Sequence, residues 1–153
     1  METTVEVVQQ YIVFKLNGQL YGTSIENIEI IEKMKPIMRV PKVPQCVKGV
    51  MNLRGEIIPV ISLRTQFALE EKEATDKTRI IIVKIDEAMV GLIVDEVKEV
   101  IEIQNTQVEA VQNIQGKMKS NDILGVGKVG DDIVTLLNLS NIIDEAFAEC
   151  DVK

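Results

Sequence analysis

Gln10-Tyr11-Ile12-Val13-Phe14-Lys15-Leu16-Asn17-Gly18 is the stretch from which the fold is read. Its side chains alternate, with Tyr11, Val13 and Lys15 on one side and Ile12, Phe14 and Leu16 on the other, as a pleated strand requires. Asn17-Gly18 then supplies a strong hairpin turn signal, and Tyr21-Gly22 opens the returning strand. The next segment, Ile25-Glu26-Asn27-Ile28-Glu29-Ile30-Ile31, spaces its apolar residues between the two periods and reads as a short helical turn or an irregular strand.

The same design returns later in the chain. Thr78-Arg79-Ile80-Ile81-Ile82-Val83-Lys84 lies over Gln9 to Lys15 at an offset of 69, which also sets Gly22 over Gly91, Ile28 over Val97, Ile31 over Val100 and Asn17-Gly18 over Asp86-Glu87. Gly55-Glu56-Ile57-Ile58-Pro59-Val60 resembles Gly130-Asp131-Asp132-Ile133-Val134-Thr135 at an offset of 75. A diverged tandem duplication with short strands and glycine turns predicts an all-β fold of two small β-barrels. The boundaries expected within one domain, 1–153, are 9–76 for the first barrel, 77–139 for the second and 140–150 for a capped C-terminal helix beginning at Ser140. The charged run from Phe67 to Lys77 suits the connection between the halves. Neither half is expected to be stable alone, because a barrel this small buries little surface.

With 46% apolar residues in 153, the chain can bury a real core. Its net charge of −7 argues against a phosphate-backbone binder, so nucleic acid is not expected as a partner. The charge is uneven. From Lys33 to Arg64 there are seven bases and one acid, Glu56, giving +6 and leaving −13 on the remainder. A local basic field on an acidic body can orient an acidic partner. The acidic N-terminus lacks the layout of a secretory signal, and no stretch approaches the ~20 apolar residues that span a bilayer, so a cytoplasmic protein without membrane insertion is expected. Cys46 and Cys150 are too few for a disulfide framework and read as buried or idle thiols.

The chemical inventory points away from catalysis. There is no histidine, which removes the usual general base, the common nucleophile pairs and the commonest zinc ligand. No catalytic residue, metal site or cofactor is therefore expected. Gly125-Val126-Gly127-Lys128-Val129-Gly130 satisfies G-x-G-x-x-G, but strand-like residues follow it where dinucleotide binding requires a helix. Asp95-Glu96 and Asp131-Asp132 are adjacent in sequence and would point to opposite faces of a strand, so both read as solvated turn or rim residues. Function is then expected at exposed apolar patches and in a groove between the barrels. Ile31 and Val100, placed alike in the two halves, and Ile28, one step before, are candidates.

The central run carries a more specific signal. Val40-Pro41-Lys42-Val43-Pro44 leads into Gly49-Val50-Met51-Asn52-Leu53-Arg54-Gly55 and then Ile57-Ile58-Pro59-Val60-Ile61-Ser62-Leu63-Arg64. Gly49 and Gly55 allow a sharp reversal that turns Arg54 outward. This run resembles the signature of the CheW family of chemotaxis coupling proteins, and the resemblance extends from about Gln10 to about Ile143. It implies two SH3-like barrels around a shared apolar centre. It also implies a non-enzymatic adaptor between the histidine kinase CheA, through that kinase's CheW-like regulatory domain, and the cytoplasmic hairpin tip of methyl-accepting chemoreceptors in membrane-anchored arrays.

By the same resemblance Ile28, Ile30, Arg54 and Val100 face the receptor, while Asn52 and Gly55 hold the turn that presents Arg54. No surface is assigned to the kinase. Ser62 and Ile30 stand where relatives carry aspartate and glutamate, so any ion pairs made by those acids are absent. The alternatives are a CheW-like module of a larger signalling protein, CheV-like or from the end of a CheA kinase, and a small-molecule-binding barrel or enzyme using the Arg54 turn. The start methionine and the lack of a receiver domain favour a stand-alone adaptor.

Overall fold

The computed structural model describes residues 8–42, 47–109 and 122–148. Ten strands occupy most of this length: β1 (Val8–Leu16), β2 (Gln19–Ser24), β3 (Ile28–Lys33), β4 (Val47–Leu53), β5 (Glu56–Ser62), β6 (Arg79–Ile85), β7 (Ala88–Val94), β8 (Glu96–Gln104), β9 (Ile123–Val129) and β10 (Asp132–Leu137). Two helices, α1 (Leu63–Gln66) and α2 (Leu139–Ala148), follow β5 and β10. The ambiguous segment after β2 resolves into both of its readings: a 3-10 turn over Ile25–Asn27, then β3 with a bulge between Ile28 and Ile30.

The strands form two five-stranded sheets, ordered β8-β1-β2-β10-β9 and β3-β6-β7-β5-β4. Each sheet curls toward closure through one further bridge. Met38, beyond β3, exchanges two 2.8 Å backbone hydrogen bonds with Val50 of β4, and Glu109, beyond β8, pairs in the same way with Val126 of β9. The result is the expected pair of SH3-like barrels.

The sheets do not divide the chain at 76/77, as the sequence boundaries had it. Hairpin β1–β2 belongs to the sheet of β8, β9 and β10, and hairpin β6–β7 to the sheet of β3, β4 and β5. Each half lends its first hairpin to the other half. Strand periodicity identifies a strand but not its partner, which is why the exchange is invisible in the sequence.

The duplication itself is real and can be read from the register. Val60 pairs with Gly91 in parallel, and Leu136 pairs with Gly22 in the same way. Gly49 faces Val60 as Gly125 faces Leu136, and Leu53 faces Glu56 as Val129 faces Asp132. The later strands are thus offset by 76, one more than the glycine-on-glycine alignment gives, and Gly130 occupies the turn position of Arg54, not that of Gly55.

The apolar core has three parts. Ile12, Phe14 and Leu16 join Ile81, Val83, Leu92, Leu63 and the inner face of α2 in a central cluster between the sheets. The alternate residues Tyr11 and Val13 line the interior of their own barrel with Ile101, Ile103, Val134 and Leu136. Ile80 and Ile82 do the same in the other barrel with Met51, Leu53, Ile58 and Val60. Both faces of β1 and of β6 are therefore buried, which the unbroken apolar runs Tyr11 to Phe14 and Ile80 to Val83 reflect.

Helix α2 starts earlier than the sequence indicates. Its N-terminal cap is Asn138, whose side-chain Oδ1 accepts from the Asn141 amide at 3.3 Å. Ser62 caps α1 in the corresponding place, accepting from the Thr65 amide at 3.3 Å. Val43, Pro44, Cys46 and Cys150 lie outside the described residues, so the reading of the two thiols and the end of the C-terminal helix fall there too.

Candidate interaction site

Arg54 stands at the tip of the β4–β5 hairpin. It has φ +52° and Gly55 has φ +90°, the paired left-handed conformation of a tight hairpin turn. The Asn52 side chain accepts the Gly55 amide at 3.0 Å and fixes the turn from within. Arg54 is exposed and makes no ion pair among the described residues. The backbone, and no partner side chain, presents the guanidinium.

Gly49 does not belong to that turn. It lies buried in β4 with φ +146°, where an added Cβ would fall 2.0 Å from the Met38 carbonyl oxygen. Its role is to admit the segment that closes the barrel. An added Cβ at its counterpart, Gly125, would likewise meet the Glu109 carbonyl oxygen, at 2.9 Å. The G-x-G-x-x-G run that contains Gly125 is strand β9 and its turn, with no helix after it.

The apolar candidates divide by face. Ile28 and Ile31 pack against the central cluster, as does Val97, the counterpart of Ile28. Val100, the counterpart of Ile31, pairs across the sheet with Ile12 and is 47% exposed. Ile30 faces the other way, into the barrel interior with Ile80 and Ile82. The bulge after Ile28 sets this division. Arg54 stands on the β4–β5 tip, linked to β3 through β6 and β7 along the sheet and through the Met38–Val50 bridge where the barrel closes, and Val100 belongs to the other sheet. The sequence candidates are thus spread over a surface, not gathered in a pocket.

Charged groups that sequence reading missed tie the two barrels together. The Arg64 guanidinium grips Asp95 with two hydrogen bonds, Nε to Oδ1 at 2.8 Å and Nη2 to Oδ2 at 2.7 Å, while its Nη1 donates to the Glu70 carbonyl at 2.7 Å. Asp95 Oδ2 also accepts the Asn17 amide at 2.9 Å, and the Asp95 amide donates to the Lys15 carbonyl at 3.1 Å. The corner between β7 and β8 is so fastened to the β1–β2 hairpin. Burial alone would raise the Asp95 carboxyl, but the hydrogen bonds from Arg64 and the Asn17 amide outweigh it and hold the pKa below its ordinary value. The bond to Asp95 likewise raises Arg64. Asp95 is therefore a half-buried ion-pair partner and not a solvated rim residue; Arg64 lies 31 residues away, so no local signal could show it.

Ser62 also acquires a carboxylate by another route. Its hydroxyl donates to Glu71 Oε1 at 2.6 Å, Thr65 donates to the same oxygen, and Lys48 lies 3.1 Å from Oε2. Burial pushes the Glu71 carboxyl up, and these partners override it, leaving the pKa lowered. The 67–77 connection is thereby strapped over one end of the barrel built on β3–β7.

Among the described residues no His, Cys, Asp and Glu cluster could hold a metal, and no helix is long and apolar enough to cross a membrane. The CheW-like domain profile matches residues 10–147. The chemotaxis protein CheW of Bacillus subtilis is 34% identical over 147 residues, which cover 95% of this chain and 93% of that protein. The CheW of Helicobacter pylori is 35% identical, covering 93% and 86%. In three dimensions the crystal structure of the scaffolding protein TtCheW from Thermoanaerobacter tengcongensis superposes with a TM-score of 0.80 at 33% identity, covering 87% of this chain and 86% of that one. Sequence, register and superposition agree: this chain belongs to the CheW family.

Proposed function

We propose that the chain is a non-enzymatic scaffold that couples the histidine kinase CheA to the cytoplasmic hairpin tips of chemoreceptors, in the cytoplasm and at membrane-anchored arrays. The observation that carries this reading is the exposed, unpaired Arg54 on a rigid turn, in a protein whose family members are chemotaxis scaffolds. Ile28 and Ile31, packed against the central apolar cluster, and the exposed Val100, paired across the sheet with Ile12, offer apolar surface for one face of an amphipathic receptor helix. Ile30 adds to the stability of the barrel and not to that surface. The hairpin tips carry equivalent exposed isoleucines, Ile57 at 63% and Ile133 at 60%, suited to the like-folded regulatory domain of CheA.

The test is CheA autophosphorylation from ATP with receptor-containing membranes, in the presence and absence of this chain. A rise that needs all three components supports coupling. A flat rate together with absent binding to both partners overturns it.

A further inference from the structure

We infer that the strapped end of the barrel built on β3–β7 is a second docking groove, which takes an extended acidic peptide segment of a partner protein bearing apolar side chains between its carboxylates. The groove measures about 280 Å³. Met34, Ile37 and Ile93 give it an apolar floor, and Arg39, Lys48 and Lys72 supply cations from three separate elements. Lys48 and Arg54 stand at opposite ends of β4, so the groove and the Arg54 tip are distinct surfaces.

Three observations define the occupant. First, Met34-Lys35-Pro36-Ile37-Met38-Arg39-Val40-Pro41-Lys42 mixes apolar and basic residues in a segment whose main chain pairs with the sheet at Met38. Second, Met34, which lines the groove, is one of the eight large apolar side chains exposed among the described residues, whereas Met38 and Val40, exposed as well, alternate with the groove-lining Ile37 and Arg39 and face the other side of the segment. An exposed methionine beside the apolar Ile37 and Ile93 suits a partner's apolar side chain, since methionine adapts readily to varied apolar partners. Third, Arg39 and Lys72 have no ion-pair partner among the described residues. Glu71 faces the groove too, but its oxygens are already engaged by Ser62, Thr65 and Lys48.

Free cations beside exposed apolar groups call for carboxylates interleaved with aliphatic side chains. The groove's cations come from three separate elements, Arg39 beyond β3, Lys48 on β4 and Lys72 in the 67–77 connection, spread along its length. That spacing favours a chain carrying several carboxylates over a single small carboxylate.

The test is a titration of the ¹⁵N-labelled full chain with a capped five-residue peptide that alternates glutamate and leucine. Expected are amide shifts at Met34 to Val40 and at Lys72 to Ala74, affinity that falls as salt rises, and at least a tenfold loss in the double variant Arg39→Glu with Lys72→Glu. Arg54→Glu leaves the affinity unchanged, which separates this groove from receptor coupling. Arg39→Gln serves if the double variant loses its folded spectrum. Equal binding of a lysine–leucine or glutamate–serine peptide, shifts elsewhere, or full reproduction of the shifts by glutarate alone would each overturn the proposal, the last in favour of a small-molecule site.

Discussion

Arg54 and Gly49 show how differently two residues of one motif can act. Arg54→Glu is expected to leave unfolding free energy within about 0.5 kcal/mol of the parent, because the side chain is exposed and makes no ion pair among the described residues, while receptor-dependent stimulation of CheA falls to near its level without the chain. Denaturant titration and the kinase assay check the two halves of that statement. Gly49→Ala drives a Cβ into the Met38 carbonyl and should cost more than about 3 kcal/mol. Gly55→Ala meets open space, so only the positive φ is penalised, at about 1 kcal/mol. The ratio of the two losses, measured in urea, distinguishes a packing glycine from a turn glycine. Both glycines were legible in the sequence as special; that Gly49 serves barrel closure was not, because its neighbour Met38 approaches only in the folded chain. Thr23 is a third case: fully buried, with a hydroxyl that finds no partner, it matches Leu92 in the other half. Thr23→Val should stabilise the protein by about 1 kcal/mol in the same titration, since the shape is kept and an unsatisfied hydroxyl is removed.

Among elements, the corner between β7 and β8 sets how the barrels sit against each other. Asp95 binds its proton less readily when folded than when unfolded. Above the ordinary carboxylate range, near about 4, its contribution to stability is complete; as pH falls through and below that range the unfolded chain takes up the proton first, and the contribution is lost. Glu71, lowered as well, acts with the same sign. Asp95→Asn should lower stability at neutral pH and flatten the acid limb of a plot of urea midpoint against pH. The strands were legible as short unbroken apolar runs, the mark of a strand buried on both faces, as in Tyr11 and Val13 on one side and Ile12 and Phe14 on the other. The hairpin at Asn17-Gly18 was legible from turn chemistry. Less so was the register of the repeat's second part, where aligning glycine with glycine conceals that Arg54 and Gly130 share one turn position. Of the candidate site, the motif marked Arg54 and its Asn52 support, whereas the bulge that turns Ile30 inward leaves no trace in residue spacing.

At the level of the whole molecule, the exchanged hairpins make the two barrels one cooperative unit. Residues 1–76 and 77–153, produced separately, should each lack a cooperative unfolding transition by circular dichroism, and mixing them should restore one, because each sheet needs strands from both. Two independent transitions in the intact chain, or a folded 1–76 fragment, would contradict this. Seen as an order of synthesis, the same exchange imposes a delay. The β3–β7 sheet can close once β7 has left the ribosome, but hairpin β1–β2, made first, finds β8 only later and must wait for β10, more than a hundred residues on, before its own sheet is complete. At the usual pace of translation that interval is on the order of ten seconds. During it, Tyr11 and Val13 lack the barrel interior that β8 and β10 complete, and the nascent chain offers them to whatever chaperone stands at the tunnel exit.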